Sequence, residues 1–174
     1  MAKNKRIIET PETLSSEQRI VYDALNGESD IGCVIISAAF LDDVLASILK
    51  TKFLESEITD NLLSGAIGTF SARGDMAYCL QLIDKNEYKD LRKIEEIRNL
   101  FAHSRFNMTF DNHKVQGLCQ EFCSINFFIS HFGSDVENPT KQDLCSDARN
   151  RFNFAIVNLS TKSLLKGLEL KQKV

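Results

Sequence analysis

The segment Arg98-Asn99-Leu100-Phe101-Ala102-His103 sets a guanidinium, a carboxamide and an imidazole close together along the chain. An arginine grips phosphate oxygens and stabilises developing negative charge. A histidine titrates near neutral pH and can move the proton. Acting together, the two suit metal-independent RNA cleavage, in which a 2′-hydroxyl attacks the adjacent phosphate. Helical geometry constrains this reading. Asn99 and His103 are four residues apart and nearly in line on a helix. Arg98 and His103 are five apart, about 140° around the axis. They converge only if His103 lies at a frayed helix end or if two chains pair these helices across an interface. The structural alternative pairs Arg98 with a buried carboxylate, lets Asn99 cap neighbouring backbone and has His103 donate to a carbonyl at the helix end. Spacing alone favours that alternative.

A second polar pair, Asp42-Asp43, ends the apolar run Ile31 to Leu41. Two adjacent carboxylates could be catalytic or hold a metal. The plainer expectation is that at least one meets an arginine from another helix, because an unpaired buried charge is expensive. Arg73 and Arg98 are the candidate partners. Asp42, Asp43, Arg73, Arg98, Asn99 and His103 together form the candidate binding or structural cluster. Cys119 and Cys123 share a helical face, with His113 and His131 nearby in sequence. Structural zinc sites pair their ligands at tighter, loop-borne spacings. The two cysteines sit in an apolar stretch and read as core thiols. No metal and no cofactor is expected.

These side chains must be positioned by helices. Gly (8) and Pro (2) are scarce over 174 residues, which favours long helices over a many-turned β fold. Residues 1–14 are polar and read as a flexible arm; residues 15–174 read as one helical domain. Ser15-Ser16-Glu17 can cap a first helix to Asn26, ended by Gly27. A second helix runs from Ser29-Asp30 to about Leu54. Its first half is apolar almost all round, so it is the expected buried central helix. Residues 55–68 form a connector with a short helical turn around Leu62, Leu63 and Ile67. A third helix spans 71–83. A fourth runs from Asn86 to His103, with Leu91, Ile94, Ile97, Leu100 and Phe101 facing inward. Its outer face is charged and includes Glu87, Lys89, Asp90, Arg92, Lys93, Glu95 and Glu96. Phe106, Met108 and Phe110 read as an extended link pressing aromatics onto the core. A fifth helix spans 112–131, a loop 133–139, and a last helix 140–168. The architecture expected is an all-α, single-domain bundle of about five to seven helices.

Composition narrows the function. The net charge of −3 argues against a protein that grips nucleic acid through bulk positive charge, although it leaves room for a local basic groove. The lysines at either end read as solvated tails. No secretory leader is evident, and no uncharged apolar run approaches the ~20 residues needed to span a bilayer. The protein is expected in the cytoplasm, off the membrane, with its five cysteines as free thiols.

The stretch Gly68-Thr-Phe-Ser-Ala-Arg-Gly-Asp-Met-Ala-Tyr-Cys-Leu-Gln-Leu-Ile83, followed by Tyr88 and Ile94-Glu-Glu-Ile-Arg-Asn-Leu-Phe-Ala-His103, resembles the mannitol operon repressor (MltR) family. Arg149-Asn-Arg-Phe152 resembles that family's C-terminal R-x-R-F pattern. The resemblance extends from about residue 20 over most of the chain and is most specific across 68–110. It implies an all-helical fold and a repressor-like role in transcription regulation. No recognisable helix-turn-helix with a basic reading helix appears, so repression would run through a protein partner. The R-N-x3-H element also resembles the HEPN superfamily of helical domains, some of which are dimeric RNases. That resemblance maps Arg98, Asn99 and His103 onto its motif. The leading expectation is therefore a non-enzymatic, homodimeric interaction module. The alternative is a HEPN-type metal-independent ribonuclease using Arg98 and His103. A small-molecule sensor built on Ser71, Arg73, Asp42 and Asp43 ranks third.

Overall fold

The computed structural model describes residues 16–104, 108–126 and 147–172. They form an all-α bundle of α1 (Ser16–Gly27), α2 (Asp30–Lys50), α3 (Glu57–Ser64), α4 (Phe70–Cys79), α5 (Lys85–His103), α6 (His113–Gln120) and α7 (Ala148–Lys171), with one further helical turn at 123–126. The expected helical class is what the chain adopts. The N-terminal arm, Phe106, His131, Cys145 and the 133–139 loop lie outside the described residues.

Side-chain caps set most boundaries. Ser29, Ser56, Thr69, Asp84, Asn112 and Asp147 each sit in extended backbone and accept from an amide in the first turn of the next helix, the usual N-cap arrangement. Asp84 and Glu87 complete a reciprocal capping box. The second helix stops at Lys50, not Leu54, because the Thr51 hydroxyl turns back onto the Ile48 carbonyl at 2.7 Å. The connector holds a full two-turn helix, α3. Gly68 lets the chain reverse after it, since a Cβ there would lie 2.5 Å from the Ser64 carbonyl oxygen.

The third helix ends at Cys79, not Ile83. Gln81 takes φ +57°. The Gln81 amide bonds to the Tyr78 carbonyl at 3.0 Å and the Leu82 amide to the Ala77 carbonyl at 2.9 Å, which is the Schellman pattern. The fifth helix ends at Gln120, not at 131, and residues 127–131 are outside the described set. The last helix starts at Ala148, capped by the extended Asp147, and residues 140–146 of the expected span lie outside the described residues.

Helix α2 sits centrally, packed against α1, α4, α5 and α7. Leu41, Leu45, Ile48 and Leu49 are buried along it. The expectation that its first half is wrapped on all sides does not hold. Ile31, Ile35 and Ile36 are 41%, 40% and 48% exposed, because its four neighbours cover a sector rather than the full circle. The link after α5 does press onto the core. Phe110 is buried between Phe101 and Phe152, with ring centroids 5.5 and 5.4 Å away, and Met108 is half-buried against the core.

Candidate functional site

The six candidate residues do not form one cluster. Asp42 and Arg73 meet, with Arg73 NH1 2.6 Å from the Asp42 carboxylate and both side chains largely buried. Arg73 also donates through NH2 to the Leu63 carbonyl near the end of α3, at 3.0 Å. One guanidinium thus ties α2, α3 and α4 together. The second Asp42 oxygen and Arg73 Nε are buried with no hydrogen-bond partner among the described residues. Asp43, one position on, points to solvent. Ser71 is engaged elsewhere, accepting from Arg92 on α5.

Arg98, Asn99 and His103 lie apart from that pair, on the C-terminal turns of α5. Arg98 and His103 are exposed and Asn99 is half-buried. Arg98 NH1 donates to the side-chain oxygen of Asn99 at 3.0 Å, so its partner is a carboxamide and neither Asp42 nor Asp43. His103 has no hydrogen-bond partner among the described residues. Expected structural roles for the two are therefore absent there. A cationic group and an imidazole stand on open surface at a helix end, where they can meet a phosphate, a carboxylate or a second chain.

The structure also gives the R-x-R-F segment a physical meaning that spacing could not. Arg149 bonds to the Asp30 carboxylate at 2.7 Å and to the Leu25 and Glu28 carbonyls at 2.9 and 2.5 Å. It closes the C-terminal end of α1 and the turn into α2. Asp30 spends its other oxygen on the Phe110 amide, at 3.1 Å. Arg151 does the same for α6, donating to the Cys119 and Gln120 carbonyls at 3.0 and 3.2 Å. These arginines satisfy orphan carbonyls at helix ends. Phe152 fills the core between Phe110 and Phe122.

Sequence reasoning placed Asp90 on the charged outer face of α5, and this is corrected. Asp90 is only 1% exposed, and its carboxylate accepts the Cys123 and Ser124 amides at 2.7 and 2.9 Å. It caps the helical turn at 123–126 from a neighbouring helix. Only the rule that buried carboxylates need donors could have hinted at it. A buried polar seam also went unseen: Asn153 accepts from the Cys33 thiol at 3.0 Å and donates to Asn26 at 2.8 Å.

Cys33 and Cys119 behave as core, whereas Cys123 is half-buried and Cys79 is exposed. Burial pushes both Cys33 and Cys119 up to about 12, far from the thiolate form that metal binding or nucleophilic attack requires. Cys123 is pushed up too, by burial first and then by the Asp90 carboxylate. Among the described residues no group of three or more histidine, cysteine or acidic side chains could hold a metal ion.

No protein-family model matches the sequence, and no curated protein does. The fold has a counterpart. A chain in the X-ray structure of the MtlR–HPr complex from Escherichia coli superposes on 86% of this chain and 99% of its own length, with a TM-score of 0.63 and 15% sequence identity. At that identity the likeness is one of fold, and this chain has an MtlR-like fold.

Proposed function

We propose that this chain is a cytoplasmic, repressor-like regulator that acts as a homodimeric helical interaction module through a protein partner and does not read DNA itself. The observation that carries this is the fold likeness, which spans nearly the whole of a chain solved in complex with a protein, HPr. The 68–103 and 149–152 segments, which resemble the mannitol operon repressor family, support the same reading. The outer flank of α5 alternates cations and acids, with Arg92 paired to Glu95 at 2.8 Å and Lys114 to Glu96 at 2.9 Å. Such a flank suits a protein contact better than a phosphate backbone. Arg98 and His103 stand exposed at its end, placed to contribute to that contact.

Isothermal titration of the purified chain with HPr tests the reading. Saturable heat is expected, weakened in Arg98→Ala and His103→Ala while both keep the wild-type melting temperature. Absence of any heat with HPr overturns the module reading.

The exposure of Arg98 and His103, with no carboxylate holding either among the described residues, favours one second reading. A HEPN-type ribonuclease would use Arg98 to hold the phosphate, Asn99 to hold Arg98, and His103 to move the proton. Incubation with single-stranded RNA in the absence of metal decides it. Cleavage lost in both Arg98→Ala and His103→Ala would replace the non-enzymatic reading; intact RNA under all conditions ends the nuclease reading.

A further inference from the structure

Helix α7 carries an apolar strip on its outward side. Ser163 is its last buried residue, but Leu170 still packs inward against the core, so the final turns are held on the bundle. Roughly opposite Leu170, the side chains of Leu164, Leu165 and Leu168 are 46%, 55% and 57% exposed. Leu165 and Leu168 stand three apart, with Thr161 four residues before them and Gln172 four residues after. Spacing of four, three and four is the seam period of two paired helices. It keeps all four positions within about 60° of one another around the helix axis.

The charges beside the seam decide what fits it. The groove that Leu165 borders carries Asp84, Glu87 and Glu169 against Lys85, Lys162 and Lys166, so no net sign selects an acidic or a basic partner. Their order along α7 does the selecting. Lys162 and Glu169 are exposed and seven residues apart, which puts them on one flank of the seam. Glu169 has no cation among the described residues, and Lys162 meets Glu87 only at 3.6 Å. When two copies of α7 lie antiparallel across a two-fold axis, Lys162 faces the second copy's Glu169, and Glu169 faces the second copy's Lys162. Leu165 then packs on the second copy's Leu168, and Leu168 on its Leu165. A parallel pair would set lysine beside lysine and glutamate beside glutamate. The strip therefore complements itself, and in one direction only.

We propose that two copies of the chain meet here, as an antiparallel α7–α7 pair. The proposal rests on the homodimeric-module reading and names its dimer surface. Helix α5 begins beside this groove at Lys85 and runs 19 residues to His103, about 27 Å. Arg98 and His103 thus stay open to a different partner while the two copies are joined. One helix per copy buries an area at the low end for specific interfaces, below about 1,200 Å², so the dimer is reversible.

Sedimentation velocity of the whole chain over a concentration series tests the pairing. A monomer–dimer equilibrium is expected, with a dissociation constant of roughly 1–100 μM. Leu165→Ser/Leu168→Ser should weaken it about tenfold or more while leaving the circular-dichroism melt of the dilute monomer unchanged. Lys162→Glu and Glu169→Lys should each weaken it about three- to tenfold, because like charges then meet at both symmetry-related contacts. Mixing those two variants, or combining both changes in one chain, should restore wild-type association, which a role confined to folding would not do. A wild type that stays monomeric, or charge variants that neither mixing nor combination restores, would overturn the α7 pair. A dimer that none of the substitutions weakens also overturns it, and leaves the homodimer reading standing on another surface. HPr titration reports on the module separately. Heat with HPr from a monomeric chain removes the pair and keeps the partner; no heat from a chain that dimerises as stated keeps the pair and removes the module reading.

Discussion

Arg73 and Asp42, thirty-one positions apart in sequence, form a 2.6 Å ion pair on which three helices converge. The arginine comes from the FSAR segment of α4, the aspartate from the middle of α2, and the same guanidinium holds the Leu63 carbonyl of α3. Removing Arg73 leaves a mostly buried carboxylate without a counter-ion. Arg73→Ala should cost about 2–4 kcal/mol in urea unfolding, because breaking such a pair exposes the full desolvation penalty of the survivor. The melting temperature should drop by roughly 5–12 °C for a chain of this size. Asp42→Asn keeps an acceptor and should cost about 1–2 kcal/mol. Equal stability of Arg73→Ala and wild type would mean the pair holds nothing together.

Arg149 is a geometric device, and this distinguishes it from a simple positive charge. Three acceptors, on Leu25, Glu28 and Asp30, are arranged around its fork. An ammonium is a point charge on a flexible stem and cannot span them. Arg149→Lys should therefore destabilise by about 1–3 kcal/mol despite conserving charge. The loss should be read out as faster amide exchange around the α1–α2 turn, where Glu28 and Cys33 bond to backbone carbonyls. A neutral Arg149→Lys would show that charge alone matters there.

The helical class was legible because apolar spacing of three and four recurs through Leu41, Leu45, Ile48 and Leu91, Ile94, Ile97, Phe101, and those residues are the ones buried. The Asp42 pairing was legible because burial of a carboxylate demands a cation and few arginines were available. What spacing could not give was distance in three dimensions. Arg98 looked like a partner for Asp42 and is instead on the surface with Asn99. Gln81 ended α4 early through a left-handed residue, and nothing in a glutamine announces that conformation. Asp90 looked like one more charge on an outer face, because the amides it serves come from a segment over thirty residues away.

Asp90 makes a sharp local test. Its two oxygens each hold one amide, of Cys123 and Ser124, at the start of the 123–126 turn. Asp90→Ala should cost about 1–2 kcal/mol, the value of an N-cap, and leave those part-buried amides without the acceptor they now have. Asp90→Asn keeps one acceptor oxygen and should lose protection at one of the two positions only. Hydrogen exchange followed by NMR at Cys123 and Ser124 reads this directly. Unchanged exchange in Asp90→Ala would mean the turn is held by packing of Phe122 and Ile125 alone.

The buried thiols predict how stability depends on alkaline pH. In the unfolded chain a cysteine ionises near 9, whereas folding holds Cys33 and Cys119 up to about 12. Below pH 9 both states keep the proton and the thiols contribute no slope. Between about 9 and 12 the unfolded state has released protons that the folded state still binds, so unfolding is increasingly favoured as pH rises. Stability should fall from pH 8 to pH 10.5, and part of that fall should vanish in Cys33→Ala/Cys119→Ala, which removes both groups. The same burial makes these thiols slow to react with a disulfide reagent at neutral pH, while exposed Cys79 reacts at once. Because Cys33 donates to Asn153 at 3.0 Å, the double variant should be less stable than wild type at pH 8, and the gap should narrow as pH rises. A gap that stays constant with pH would show that the two thiols do not resist ionisation in the folded chain.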